Sequence, residues 1–178
     1  NGPVDLKSGE LLPHDPSLLM TNKIEFDYPE TEVDCPNFRK FVLEFCNGNE
    51  ELYEWLHTYL GYSITGSTRE QIVGVFHGSG ANGKSTLLNV IQRLFKAISK
   101  PASFSTFERK GAGSSTADLA ALRGARLVFV NEGERGVAMS ESRIKMMSGG
   151  DPVDCRHLYK EQMSYYPKYQ ITLVTNHK

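Results

Sequence analysis

The sequence predicts an α/β fold: an N-terminal arm and small helical region over residues 1–66, then a phosphate-binding-loop (P-loop) core over 67–178, truncated at its C-terminal end. Three observations predict it. The run Gly78-Ser79-Gly80-Ala81-Asn82-Gly83-Lys84-Ser85-Thr86 contains G-x-x-x-x-G-K-[ST]. The β-branched apolar run Ile72–Phe76 precedes it, and Leu87–Phe95 follows with apolar residues at helical spacing, so the motif sits in a strand–loop–helix context. Two further apolar runs, Ala125–Val130 and Gln170–Thr175, read as buried strands.

The loop residues have physical reasons to be where they are. Glycine lets a backbone approach a phosphate closely. Successive N–H groups at the start of the next helix then form a cradle for negative charge. In such a loop Lys84 reaches the β- and γ-phosphates of ATP, and Ser85 offers its hydroxyl to Mg²⁺. Thr86 closes the run and reads as helix packing. The competing explanation is a glycine-rich turn that matches by chance.

Composition narrows the classes. A chain of 178 residues suits one domain, or one domain with a small extension, and can bury a core. The formal net charge is −1, so any attraction to nucleic acid must come from local loops or from an assembled ring. Three cysteines, Cys35, Cys46 and Cys155, are far apart and form no C-x-x-C pair. They read as reduced thiols in a cytoplasm. No apolar run approaches the ~18 residues of a membrane span, and no signal peptide is visible. The chain starts Asn-Gly-Pro and stops just after a core strand, which predicts an excised fragment of a longer protein.

The elements follow in order. Residues 1–34 suit either a small hairpin around Lys7-Ser8-Gly9 or an irregular arm. Pro36 opens a helix whose apolar face is Phe38, Phe41, Val42 and Phe45, and Asn47-Gly48 stops it. A second helix runs from about Glu50 to Leu60, with Leu52, Trp55, Leu56, Tyr59 and Leu60 packed between helices and Gly61 as its terminator. Gly66-Ser67-Thr68 marks a boundary. Ser99–Thr116, including Arg109-Lys110-Gly111, reads as a surface loop, with a phosphate- or DNA-contacting loop as the alternative. A short helix covers about Ala117–Leu122 and ends at Gly124.

The strand Ala125–Val130 delivers Asn131-Glu132-Gly133-Glu134 at its C-terminal end. An apolar strand ending in a carboxylate is the Walker B arrangement, in which the acid helps hold Mg²⁺ or orients water. Glu132 is the better placed and Glu134 the reserve; an ordinary acidic turn is the alternative. Ser140 caps a helix to about Met147, with Ile144 and Met147 inward and Lys145 on the other face. Two short strands with a basic tip near Tyr159-Lys160 follow the turn Ser148–Pro152; on pattern alone they read as a solvated hairpin, with contact to a DNA backbone as the alternative. Asn176 ends the last strand, either as a polar group toward a γ-phosphate or as a cap for the next element.

The order Gly80-Ala81-Asn82-Gly83-Lys84-Ser85-Thr86, a strand plus Glu132, Lys145 with Ser148-Gly149-Gly150-Asp151, and a strand plus Thr175-Asn176 resembles the superfamily 3 helicases, AAA+-related ring ATPases of viruses, phages and plasmids. It is most similar to the ATPase part of phage and plasmid primase-helicases related to the poxvirus primase-helicase. The opening Asn1-Gly2, Asp5-Leu6 and Ser8-Gly9-Glu10, the turn Leu60-Gly61-Tyr62 and the run Leu122–Leu127 fit the same family, so the resemblance covers nearly the whole chain. It implies a P-loop NTPase core and an ATP- and Mg²⁺-dependent DNA helicase. Lys84 and Ser85 carry the Walker A functions, Glu132 the Walker B function and Asn176 the sensor. The segment from Lys145 through Lys160 resembles the family's extra motif, whose hairpin grips single-stranded DNA in the channel of a hexameric ring of identical subunits, which makes Arg156 and Lys160 the candidate contacts. Two departures stand out. Asn131 replaces the first of two adjacent acids common at Walker B. The family's arginine finger lies past the sensor strand, beyond Lys178, which predicts weak ATP binding and poor turnover by the isolated fragment. An initiator or loading module that uses ATP only to assemble on DNA remains an alternative, and a P-loop kinase a lesser one.

Overall fold

A computed structural model describes residues 2–109, 111, 114–131 and 139–176. Its centre is a parallel sheet of β1 (Val73–His77), β2 (Ser99–Ala102), β3 (Leu127–Asn131) and β6 (Gln170–Thr175), in the spatial order β1-β6-β3-β2. Parallel neighbours need crossovers, and these carry α3 (Lys84–Leu94), α4 (Ala117–Ala121) and α5 (Glu141–Ser148). The fold is therefore mixed α/β with a parallel sheet.

Both faces of the sheet are covered, which is why β3 reads as an unbroken apolar run. Side chains alternate along a strand. Leu127 and Phe129 join Phe76, Val174, Leu87, Leu88 and Ile91 beneath α3, α1 (Pro36–Phe45) and α2 (Glu50–Thr65). Val128, Val130 and Ile171 face the other way, against Leu119, Ala120, Met147, Val153 and Cys155. The last two belong to an antiparallel pair, β4 (Val153–Cys155) and β5 (Met163–Tyr165), which is the expected hairpin. Burial pushes the Cys46 and Cys155 thiols up, as befits packing residues.

Several elements follow the sequence closely. Pro36 opens α1, and Asn47 and Gly48 end it with φ of 55° and 72°. Near the N-terminus Val4 bridges Leu11 in antiparallel sense around the Lys7–Gly9 turn, so the hairpin alternative is the one adopted.

Three expectations fail. Gly61 does not terminate α2, which continues to Thr65 and is capped by Gly66 at φ 74°. One helical glycine costs only ~1 kcal/mol. Beyond it Ser63 is fully buried with its hydroxyl donating to Tyr59 O at 2.7 Å, and Ile64 packs on the core. The face of α2 is also narrower than expected. Leu56 and Tyr59 are buried, but Leu52 and Trp55 are 44% and 47% exposed. Tyr59 turns onto the sheet: its hydroxyl donates to Ile171 O at 3.1 Å and bonds Thr172 Oγ1 at 2.8 Å, while Trp55 stacks on its outer side. Third, the segment read as a loop from Ser99 contains β2. Its sequence Ser-Lys-Pro-Ala is poor in strand formers, and it serves as an edge strand, where proline is tolerated. Lys100 Nζ reaches back to Ala121 O at 2.6 Å and Arg123 O at 2.9 Å.

Among the described residues no helix is long and apolar enough to cross a membrane, and no cluster of three or more His, Cys, Asp or Glu could hold a metal.

Candidate functional site

The pairing register places the C-terminal ends of three strands level. His77 of β1 lies opposite Thr175 of β6, and Asn131 of β3 opposite Val174. Whatever follows these strands emerges at one sheet edge, where parallel α/β sheets open their binding crevices. The glycine loop follows β1, Asn131 ends β3, and Asn176 follows β6. Because β6 lies between β1 and β3, Asn176 leaves the sheet between the glycine loop and the end of β3.

The loop is tied down at both ends. Gly78 N–H donates to Thr175 O at 3.3 Å. Gly83 caps α3 at φ 84°, a conformation that disfavours a side chain, and a Cβ there would lie 3.3 Å from Phe41 Cε2 of α1. Between them Lys84, 6% exposed, folds back over the loop. Its ammonium donates to Gly78 O at 2.6 Å, Asn82 Oδ1 at 2.9 Å and Ser79 O at 3.4 Å. Every one of these acceptors is neutral. A Cβ on Gly78 would run into Asn82 Nδ2 and stand 3.6 Å from Lys84 Nζ. The space beside Gly78 thus exists because that residue has no side chain. A nearly buried cation whose described partners are all neutral, at the N-terminus of an 11-residue helix, fits an oxyanion. Ser79, Gly80, Ala81 and Ser85 are exposed around it. Thr86 is exposed too and does not pack the helix as expected.

Asn82 is the residue whose part the motif does not reveal. It occupies one of the four variable positions, and only the structure shows it holding the lysine. Glu132 and Glu134 lie outside the described residues. Asn131 and Asn176 are both exposed at the edge just described.

The other predicted contacts lie on the hairpin. Arg156 and Lys160 are exposed in the segment joining β4 to β5, beside Leu158, 66% exposed, and the fully exposed Tyr159 at φ 60°. The backbone N–H of Arg156 donates to Thr116 Oγ1 at 3.0 Å, fixing the hairpin base to the segment before α4. Lys145 is engaged elsewhere: it meets Glu141 Oε1 at 2.6 Å across one helical turn and holds that carboxyl below its usual range. The structure thus groups the glycine loop with the strand ends and sets the hairpin on the opposite face from α3.

Comparison with known proteins gives two family matches. Residues 76–178 match the Family of unknown function (DUF5906), and residues 1–47 match the family described as D5 N terminal like. A protein of Acanthamoeba polyphaga mimivirus described as a "Putative helicase" is 29% identical over 183 residues, covering 99% of this chain. This chain spans 19% of that relative's length. Among solved structures, the A form apo structure of the NrS-1 C-terminal region superposes with a TM-score of 0.61 at 12% identity, over 82% of this chain and 34% of that one. A second apo structure of the same region gives 0.59 at 12%, over 80% and 34%. At such identity the likeness is one of fold.

Proposed function

We propose, for a chain that belongs to the DUF5906 family, a family of unknown function, that it is the ATP-hydrolysing part of a DNA helicase serving replication of a phage, plasmid or integrated mobile element. The observation that carries this reading is Lys84, nearly buried over a glycine loop and held, among the described residues, by neutral acceptors, at the sheet edge where β3 and β6 also end. The mimiviral relative and the D5-like N-terminal match support the helicase and replication parts of the reading.

In this reading the core is a P-loop NTPase of the superfamily 3 type. Backbone N–H groups from Gly78 to Thr86 bind the phosphates of ATP. Lys84 exchanges its loop acceptors for phosphate oxygens and stabilises charge on the transferred phosphoryl group. Ser85 and Glu132 would hold Mg²⁺, which supplies neutralising charge at the phosphates. Glu132 and Asn176 orient a water for attack on the γ-phosphorus, and the bond to the β-phosphate breaks to give ADP and phosphate. Arg156 and Lys160 grip the backbone of single-stranded DNA at the channel of a hexameric ring, and hydrolysis at subunit interfaces moves the hairpins.

ATP-fuelled separation of a forked DNA duplex tests it. Unwinding that disappears in Lys84→Ala is the expected result. ATP-dependent assembly on DNA without strand separation would replace the helicase by a loader. Lys84-dependent transfer of phosphate to a small acceptor would replace it by a kinase.

A further inference from the structure

A polar cavity of about 380 Å³ opens between Arg109, Gly111, Ser114 and Thr116 on one side and the start of α5 on the other, within the ~300–1,000 Å³ that ligand pockets occupy. It shares no residue with the glycine loop. Its walls carry two guanidinium groups, Arg109 and Arg143, and four hydroxyls, Ser114, Thr116, Ser140 and Ser142. Among the described residues no acidic side chain lines it.

Arg143 is half-buried and fixed, because one of its N–H groups donates to Thr106 O at 2.8 Å. A guanidinium has five donors, so most of its capacity remains for a ligand. Among the described residues the ion pairs are Lys40–Glu44 and Lys145–Glu141, and neither pocket arginine takes part in one. Two arginines and several hydroxyls are the chemistry of oxyanion recognition. In a chain of net charge −1 this is a local concentration of positive charge. Among the described residues the lining contains no aromatic ring on which a base could stack, which favours a phosphate over a whole nucleoside.

The position identifies the source. Thr116 is both a wall of the cavity and the acceptor for the Arg156 N–H at the base of the hairpin. We propose that this cavity is a second phosphate site, which seats a backbone phosphodiester of the single strand that the hairpin grips. The inference rests on the reading of the hairpin as a single-strand contact.

The test is fluorescence anisotropy of a labelled oligothymidylate over a range of KCl concentrations. It compares the unmodified chain, Arg109→Gln, Arg109→Gln/Arg143→Gln and Arg156→Gln/Lys160→Gln. Each phosphate contact to a single strand contributes about −0.7 to the slope of log K against log salt. The expected slope therefore flattens by about 0.7 in Arg109→Gln and about 1.4 in the double pocket variant, with weaker binding in both. ATP turnover measured without DNA stays unchanged. Arg109 is exposed, so its single variant remains informative if loss of Arg143 unfolds the chain. Unaltered slope and affinity in Arg109→Gln, beside lost binding in Arg156→Gln/Lys160→Gln, would overturn the pocket and leave the hairpin reading standing. Arginine-dependent binding of inorganic pyrophosphate, with oligothymidylate binding indifferent to the arginines, would also overturn it, as a free-anion site. An unmodified chain that binds no single strand would remove both readings together.

Discussion

Replacing Gly74 by alanine drives a methyl group into the ring of Tyr59. A Cβ at Gly74 would clash with the Tyr59 hydroxyl and lie 2.6 Å from Tyr59 Cζ. The ring cannot easily yield, since it is 3% exposed, stacked on Trp55 and bonded to Ile171 and Thr172. Overpacking of this kind costs ~1–3 kcal/mol. Displacing the ring also removes two hydrogen bonds worth ~0.5–1.5 kcal/mol each. The expected loss is about 2–6 kcal/mol, a large share of the ~5–15 kcal/mol that stabilises a domain. In urea, with a slope of ~1–3 kcal/mol/M, the midpoint falls by roughly 1–2 M. Tyr59→Phe lacks both hydrogen bonds and lets the ring tilt. Gly74→Ala should therefore cost about 1 kcal/mol less or better in that background. A loss below about 0.5 kcal/mol, or additive effects of the two substitutions, would refute the claim that Tyr59 is pinned over Gly74. Because β1 runs directly into the glycine loop, the same variant should bind nucleotide more weakly.

Other outcomes follow from the same contacts. Gly83→Ala, forced into a left-handed conformation at φ 84° and crowding Phe41, should lose about 1–2 kcal/mol in thermal or urea unfolding and bind ATP less tightly in calorimetry. Burial raises the phenol pKa of Tyr59, Tyr165 and Tyr169 above its ordinary value. Above pH ~10 the unfolded chain gives up phenolic protons that the folded chain keeps, so stability is lost as pH rises past that point. Urea midpoints at neutral and alkaline pH should show the loss, blunted in Tyr169→Phe. Lys160→Gln should weaken single-strand binding in anisotropy without moving the melting temperature or ATP turnover measured without DNA.

The parts of the fold that were legible in the sequence are those where one local signal decides. Pro36 and Asn47-Gly48 bracket α1, and Gln170–Thr175 is β6 to the residue. The parts that were not legible depend on tertiary packing. The end of α2 follows from what Ser63 and Ile64 bury, which overrides Gly61. Leu52 and Trp55 have apolar spacing but sit outside the stripe that Tyr59 directs onto the sheet. β2 exists because β3 offers it an edge to pair with, and nothing in Ser-Lys-Pro-Ala signals that. At the site, the loop and its lysine were readable from the motif, whereas Asn82 as the holder of Lys84 was not. The cavity between Arg109 and Arg143 brings together residues 34 apart, and only the segment around Arg109 carried any signal.

The most direct test of the central claim is ATP hydrolysis by the protein that carries this chain, with and without single-stranded DNA, beside its Lys84→Ala variant. The account predicts turnover that rises with DNA and vanishes without Lys84. Lys84-dependent turnover that is indifferent to DNA would contradict it.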